Sequence, residues 1–181
     1  MDRVENRNVS VENAVQLMVR CGLPAPAAET VPLAEALGRT AFDDIDAPFD
    51  QPPFPRSPLD GYAVRHEDLA GASPVDPVRL SVIGEAFAGH APIKPVCAGE
   101  AMRIMTGAPI PQGADCVVRQ EDTDCGDREA LVYASLSAYE NYCFAGEDVK
   151  KGARAVSRGD LLTFTEIGAP AGLGLSEIRV A

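Results

Sequence analysis

The dipeptide Asp60-Gly61, in the segment Ser57-Pro-Leu-Asp-Gly-Tyr62, is the first place in the chain where chemistry is expected. A turn at Asp-Gly would direct the carboxylate away from the backbone, into solvent or a cleft. In a cleft it could hold a hard cation such as Mg²⁺, which takes one or two carboxylates plus substrate oxygens. The alternative is a purely structural turn, and these residues alone leave both interpretations open.

A second candidate is the junction Thr106-Gly107, within the segment Arg103-Ile-Met-Thr-Gly-Ala-Pro-Ile-Pro-Gln-Gly-Ala-Asp115. A short apolar strand is predicted to end here, before a loop rich in Pro and Gly. A hydroxyl and free backbone N–H groups at a strand end could contact an oxyanion such as phosphate or molybdate. A plain strand-to-loop junction is the competing interpretation.

Two adjacent acids, Glu147 and Asp148, form a third candidate at the end of Asn141-Tyr-Cys-Phe-Ala-Gly-Glu-Asp148. They could bind a cation or face the Asp60 loop. A solvated turn is the more ordinary interpretation of such a pair.

Composition excludes several other functions. The chain has 16 basic and 27 acidic residues and no tryptophan, which argues against a nucleic-acid partner. Its five cysteines do not pair at metal-ligand spacing, so we expect reduced and mostly buried thiols rather than a zinc site. There is no Walker-type phosphate loop, dinucleotide fingerprint or nucleophile elbow.

The sequence also predicts a cytoplasmic protein with no membrane partner. Apolar runs fall short of the roughly 18 residues needed to cross a bilayer. The N-terminus carries mixed charge and no apolar h-region, which argues against a secretory signal.

The helices and strands that position these candidates differ along the chain, and the part before them is predicted to be helical. An amphipathic helix is predicted from Val11 to Val19, capped by Ser10 and stopped by Gly22 and Pro24, with a short helix at residues 33–37. Five prolines in residues 48–58 predict a semi-rigid extended connector.

Beyond the connector the signals are mainly β. Short strands separated by Pro and Gly clusters are expected at residues 78–82, 102–105, 116–118 and 131–136, forming a small antiparallel sheet or barrel. Thr163 and Glu166 have capping-box spacing, which predicts a helix from about Phe164 towards Gly172. Residues 178–181 resemble the start of a strand, so we expect the chain to be part of a longer protein. The predicted class is α+β, with a β-rich part inserted in a mixed one.

The order of these segments resembles the molybdopterin molybdenumtransferase family, which includes the bacterial MoeA proteins and the E domain of gephyrin. The blocks that carry the resemblance are Asp-Gly-Tyr-Ala-Val64, Met-Thr-Gly-Ala-Pro109 and Gly-Glu-Asp148, in this order after the proline-rich segment. The similarity extends from about Ser10 to Val180, and both longer blocks are specific to the family.

The resemblance implies a discontinuous α/β linker domain, residues 1–47 plus 141–181, with a β-rich barrel-like domain, residues 48–140, inserted in it. The molybdopterin-binding and C-terminal domains of the family have no counterpart here. Such enzymes are homodimers that insert molybdate into adenylylated molybdopterin with Mg²⁺ present. A molybdopterin adenylyltransferase is a further candidate partner, and we expect residues 1–181 alone to be inactive.

By the same resemblance, Asp60 and Thr106 are the predicted catalytic residues. Asp60 would act on the metal or the molybdate-bearing phosphate, and Thr106 would donate a hydrogen bond. The remaining candidates for substrate binding are Ser57, Gly61, Gly107, Glu147 and Asp148. The positive groups that neutralise the substrate are expected in the domain without a counterpart.

The chain also departs from the family pattern. The family usually has Asp-Asn-Ser-Ala-Met before Asp-Gly-Tyr, where this chain has Pro55-Arg-Ser-Pro-Leu59, and two arginines where it has Cys143 and Ala145. If those arginines contact phosphate, neither Cys nor Ala replaces them. A non-catalytic dimerisation or scaffolding paralogue is therefore the main alternative, and an unrelated β-rich binding domain is the second.

Overall fold

The computed structural model describes residues 9–22, 27–90, 92 and 94–181. The predicted stop at Pro24 and the first eight residues of the predicted linker domain lie outside the described residues.

The first helix, α1 (Val11–Arg20), begins where the sequence predicts. The Asn13 N–H donates to the Ser10 hydroxyl oxygen at 3.3 Å, so Ser10 is the N-cap. The apolar stripe is present, but no residue of α1 is buried. The helix is therefore formed by local signals and leaves its apolar face exposed in this structure.

Nine strands follow in the described part of the chain. In order, they are β1 (Glu29–Pro32), β2 (Ile45–Asp46), β3 (Gly61–Val64), β4 (Val78–Ala86), β5 (Glu100–Ile104), β6 (Cys116–Arg119), β7 (Glu129–Val132), β8 (Arg154–Val156) and β9 (Glu177–Val180). A second helix, α2 (Phe164–Gly172), lies between the last two. Short 3₁₀ turns cover Leu33–Glu35, His66–Leu69 and Gln120–Asp122.

Five strands form one sheet in the order β6-β3-β5-β4-β7, and this sheet curls into a half-barrel. The prediction of a wholly antiparallel sheet is wrong, because β4 and β5 run parallel. Parallel neighbours need a crossover of a dozen or more residues, and residues 87–99 supply it. A register shift between Val82 and Glu85 accompanies this pairing.

Segments on either side of the half-barrel meet in two small sheets. Strand β1 pairs with β9 and β2 pairs with β8, both antiparallel. A separate apolar cluster lies around these strands, with Val31, Ala36, Leu162 and Val180 among its buried members. The segments before and after the half-barrel thus share one core, because strands distant in sequence bury their apolar residues together.

Helix α2 has the predicted capping box. The Thr163 N–H donates to the Glu166 carboxylate at 3.1 Å, and the Thr165 N–H donates to the Thr163 hydroxyl oxygen at 3.4 Å. Pro170 lies inside the helix, which continues to Gly172. No helix in the described part of the chain has the length and hydropathy required to span a bilayer.

Two sequence-based expectations need correction. The helix predicted at residues 33–37 is only a 3₁₀ turn at Leu33–Glu35, capped by Ala36, whose N–H donates to the Leu33 carbonyl. The thiols are free but not mostly buried: Cys116 is buried, Cys143 is half-buried, and Cys21, Cys97 and Cys125 are exposed. Only Cys116 lies on a strand with a buried face, where desolvation raises its pKa to about 12.

Candidate functional site

The end of the proline-rich segment 48–58 is held between two other segments. The Arg56 N–H donates to the Cys143 carbonyl at 3.0 Å, and the Cys143 N–H donates back to the Arg56 carbonyl at 3.1 Å. On the other side, the Ser57 N–H donates to the Ala108 carbonyl at 3.0 Å. Bends at residues 48–49, 52–54 and 58 interrupt the segment, so the prediction of a continuous extended connector is wrong. Its end nevertheless brings together three regions far apart in sequence.

Asp60 and Thr106, the two predicted catalytic residues, are in direct contact. The Thr106 backbone N–H and its hydroxyl each donate to the same Asp60 carboxylate oxygen, Oδ1, at 2.7 Å. These two hydrogen bonds hold the pKa of Asp60 below its ordinary value, because they stabilise the ionised form; the Arg103 charge adds to the effect. The site therefore presents a fixed, ionised carboxylate.

This geometry also determines what the Thr106 hydroxyl does in this structure. A hydroxyl has one proton to donate, and the Thr106 proton is directed at Asp60. The second Asp60 oxygen, Oδ2, accepts no hydrogen bond within the described residues, and it is the oxygen that remains available to a ligand.

Ser57 shapes the turn that carries Asp60. Its hydroxyl donates to the Leu59 carbonyl at 2.6 Å and accepts from the Leu59 N–H at 3.3 Å. The side chain is buried, and its bonds are all within the turn. In this structure Ser57 supports the position of Asp60 rather than offering a free donor.

The two candidate glycines have different roles. Gly61 begins β3, and a Cβ there would lie 1.8 Å from the Val118 carbonyl oxygen on β6, so only glycine fits between the strands. Gly107 has φ +80°, a left-handed conformation that favours glycine. Its N–H donates to the Ser57 carbonyl at 2.8 Å, which ties the Thr106 turn to the Asp60 turn.

The adjacent acids are positioned differently from each other. The Glu147 carboxylate accepts from the Phe144 N–H at 2.9 Å and so closes its own turn. The Asp148 carboxylate faces the Arg56 guanidinium at 3.4 Å. Of the two, Asp148 is the one that the fold directs towards the segment carrying Asp60.

A cleft of about 320 Å³ lies at this junction. Its lining residues come from all three segments: Arg56, Ser57, Pro58, Thr106, Gly107 and Cys143. Burial raises the pKa of the Cys143 thiol, which disfavours the thiolate. The residues that line the cleft thus include an arginine, a threonine and a cysteine, and the Asp60 carboxylate is hydrogen-bonded to one of them, Thr106.

Arg56 and Cys143 line this cleft, although their sequence context did not predict either as a site residue. Arg56 lies in the segment that was interpreted as a connector. Cys143 was considered only as a position where the family usually has an arginine. A basic residue inside a proline-rich run, directly before the Ser57 block, was the signal that could have identified Arg56.

Another depression, of about 360 Å³, is lined mainly by apolar side chains that include Ile83, Phe87 and Met102. None of the candidate catalytic or substrate-binding residues lines it. Throughout the described ranges, no three His, Cys, Asp or Glu side chains gather in a way that could hold a metal ion by themselves.

Replacing Thr106 with valine is expected to raise the pKa of Asp60 towards its ordinary value. The variant removes the hydroxyl donor and keeps the backbone N–H, so the rise should be partial. Because the wild-type pKa is lowered, the stability that these hydrogen bonds contribute is present at neutral pH and is lost as pH falls through that lowered value. The measurement is a ¹³C NMR titration of the Asp60 carboxyl carbon. In the control Thr106→Ser, which keeps a hydroxyl, the pKa of Asp60 should equal that of wild type. If the pKa of Asp60 in the valine variant also equals that of wild type, the assigned hydrogen bond is wrong.

The chain is similar to one region of a known protein family. The family model described as the MoeA N-terminal region (domain I and II) matches residues 9–174. Molybdopterin molybdenumtransferase 2 of Mycobacterium tuberculosis is 40% identical over 151 residues, which cover 83% of this chain and 37% of that protein. The molybdopterin molybdenumtransferase of Synechococcus elongatus is 36% identical over 176 residues, covering 95% of this chain and 43% of the relative.

A solved structure agrees with the fold. The crystal structure of a molybdopterin biosynthesis MoeA protein from Pyrococcus horikoshii superposes with a TM-score of 0.87 at 36% identity, covering 93% of this chain and 45% of that one. The chain therefore spans less than half the length of these relatives.

Proposed function

The chain belongs to the MoeA N-terminal region family, and from that premise we propose that it forms part of the active site of a molybdopterin molybdenumtransferase. In the full-length protein, this site would insert molybdate into adenylylated molybdopterin and release AMP. The observation that carries the proposal is the Asp60 carboxylate, fixed through one oxygen by two Thr106 donors and free at the other. Group transfer of this kind depends on positioning and on charges placed around oxygens.

The roles of the residues follow from their contacts. Asp60 is the group that would meet the metal ion or the reacting oxygens, and Thr106 would hold it ionised and in place. Ser57 and Gly107 would support the two turns that carry these residues, through the hydrogen bonds described above. Gly61 would keep β3 close to β6, so that the backbone next to Asp60 is held in a fixed position.

The donor set fits Mg²⁺ as a shared ion. Mg²⁺ is usually held by one or two carboxylates together with substrate phosphates and water, rather than by an all-protein cage. The free Asp60 oxygen is one such ligand. When bound, the ion would neutralise charge on the substrate's phosphate or molybdate oxygens.

The proposed domain division is residues 1–47 plus 141–181 for the linker domain and 48–140 for the inserted domain. The β1–β9 and β2–β8 pairings support it, since they join segments on either side of the half-barrel. The hydrogen bonds between Arg56 and Cys143 lie where the two proposed domains meet. The candidate cleft would therefore be an interdomain site, a common location for ligands.

The proposed assembly is a homodimer. Helix α1 exposes Val11, Met18 and Val19, each more than 70% accessible, on one amphipathic helix. A contiguous exposed apolar face of this kind is typical of an interaction surface. The same observation favours the alternative function, a non-catalytic dimerisation or scaffolding paralogue, for which the absence of arginine at Cys143 and Ala145 is the second support.

The test is molybdate insertion into adenylylated molybdopterin with Mg²⁺, measured as AMP release by the full-length protein. Activity that requires molybdate would support the enzyme. A folded, dimeric and inactive protein would instead favour the scaffold. Residues 1–181 alone serve as the matched control and should be inactive, and insertion by that chain alone would contradict the expectation that a further domain completes the site.

A further inference from the structure

Arg56 lines the candidate cleft, and its guanidinium has no strong partner. Its one hydrogen bond in the described residues is a single contact with Asp148 at 3.4 Å, near the distance limit for such a bond. Both side chains are well exposed, 40% for Arg56 and 56% for Asp148. An exposed pair of this kind adds little to stability, so holding the fold together does not explain the position of Arg56.

The backbone below this side chain is nevertheless fixed. Both backbone polar groups of Arg56 bond to Cys143, and the next residue bonds to Ala108. Arg56 therefore lines the cleft from an anchored backbone, together with Thr106, Gly107 and Cys143. Because the backbone is already ordered, ligand binding at this side chain carries no cost of ordering the loop.

Arg56 carries a positive charge in this environment. Its contact with Cys143 and the nearby acids Asp148 and Glu147 raise the pKa of Arg56, so it stays protonated. The thiol beside it favours the neutral form, because burial raises the pKa of Cys143. Asp148 is thus the carboxylate in contact with Arg56, through one long hydrogen bond that an oxyanion could replace.

We propose that Arg56 binds a tetrahedral oxyanion of the substrate, either molybdate or the phosphate of adenylylated molybdopterin, in this cleft. This inference rests on the proposed function and deepens it. A planar guanidinium offers two parallel N–H donors that match an oxyanion bidentately. Asp148 holds the guanidinium over the cleft when the oxyanion is absent. One of the positive groups of the site is then supplied by this chain.

The test compares Arg56→Gln, Arg56→Lys and wild type in the full-length protein, with Arg79→Gln as the control. Arg79 pairs with Glu129 on the exposed face of β4 and β7, outside the cleft. We expect Arg56→Gln to raise the KM for one substrate about 10- to 100-fold, the effect of losing a charged hydrogen bond. Arg56→Lys should retain part of the affinity, and Arg79→Gln should match wild type.

The two oxyanion sources are separated by which KM changes. A raised KM for molybdate assigns the guanidinium to molybdate, and a raised KM for adenylylated molybdopterin assigns it to the phosphate. A change in kcat alone, or unchanged KM values for both substrates, would overturn the inference. Equal midpoints of thermal unfolding for wild type and the Gln variant would show that folding is unaffected.

A second measurement keeps this inference separate from the proposed function. Inorganic phosphate and molybdate are titrated calorimetrically into the full-length wild type and Arg56→Gln proteins. If the protein is inactive but binds an oxyanion that the Gln variant loses, the transferase proposal fails and the Arg56 site stands. If neither oxyanion binds wild type and no KM changes, Arg56 is only a surface residue and the inference is wrong.

Discussion

Asp60→Asn is expected to lower the rate of molybdate insertion by the full-length protein by about 100- to 1000-fold, the usual loss when one preorganised electrostatic group is removed from a site. Asparagine keeps a side-chain oxygen that can accept both Thr106 hydrogen bonds, so the turn should keep its geometry. What is lost is the negative charge and the free carboxylate oxygen. The decrease should therefore appear in kcat rather than in folding.

The measurement is AMP release at saturating molybdate and adenylylated molybdopterin, over a range of Mg²⁺ concentrations. The matched control is Glu129→Gln, which also loses one carboxylate, in an exposed pair with Arg79. It should retain full activity. If Asp60→Asn is as active as the control, Asp60 does not act on the reacting groups, and its hydrogen bonds with Thr106 serve only to join β3 to β5.

The Asp60→Asn variant also has a structural readout. Because Thr106 can still donate to the amide oxygen, its N–H chemical shift should change less than it would if the bond broke. A large loss of thermal stability would show that the charge itself, rather than the hydrogen bonds, maintains the turn.

Gly61→Ala is expected to lower the free energy of unfolding by about 3 kcal/mol, the upper part of the usual range for overpacking. The new Cβ would lie 1.8 Å from the Val118 carbonyl oxygen and 2.9 Å from its carbonyl carbon. Backbone atoms cannot rotate away as a flexible side chain would. Strands β3 and β6 must therefore separate, and their pairing weakens.

Urea unfolding followed by circular dichroism measures this loss. Gly168→Ala is the matched control, since a Cβ at that position in α2 meets nothing within 4 Å. Alanine has the higher helix propensity, so the control should be equal to wild type or more stable by up to about 1 kcal/mol. If the free energy of unfolding of Gly61→Ala lies within about 0.5 kcal/mol of wild type, β6 can shift away from β3 with little loss of stability, and the prediction is wrong.

Local signals in the sequence were enough for the two α-helices and for the family, but not for the short helix predicted at residues 33–37. Helices α1 and α2 are capped by Ser10 and Thr163 as predicted, because caps and periodicity act within a few residues. The specific blocks around Asp60 and Thr106 identified the family because their order along the chain is itself the signal. The absence of helix and strand in the proline-rich segment was also predicted, since proline fixes φ and removes a donor, but its bends at residues 52–54 were not.

Sheet pairing was harder to predict. The parallel β4–β5 pair depends on how residues 87–99 cross over, and nothing in either strand encodes that direction. Gly61 was interpreted as a turn glycine, while its tertiary role is to admit the Val118 carbonyl. Neither feature is visible until the neighbouring strand is known.

By itself, the sequence determined which residue types are present and in what order: the carboxylate of Asp60, the hydroxyl of Thr106 and the helices at either end. Only the tertiary structure decided that Thr106 donates both its hydrogen bonds to Asp60, 46 positions away, and that Arg56 borders the same cleft. The reason is physical. Caps, proline and periodicity act through contacts between near neighbours, whereas the site is assembled by strand pairings whose partners are chosen by the burial of the whole core.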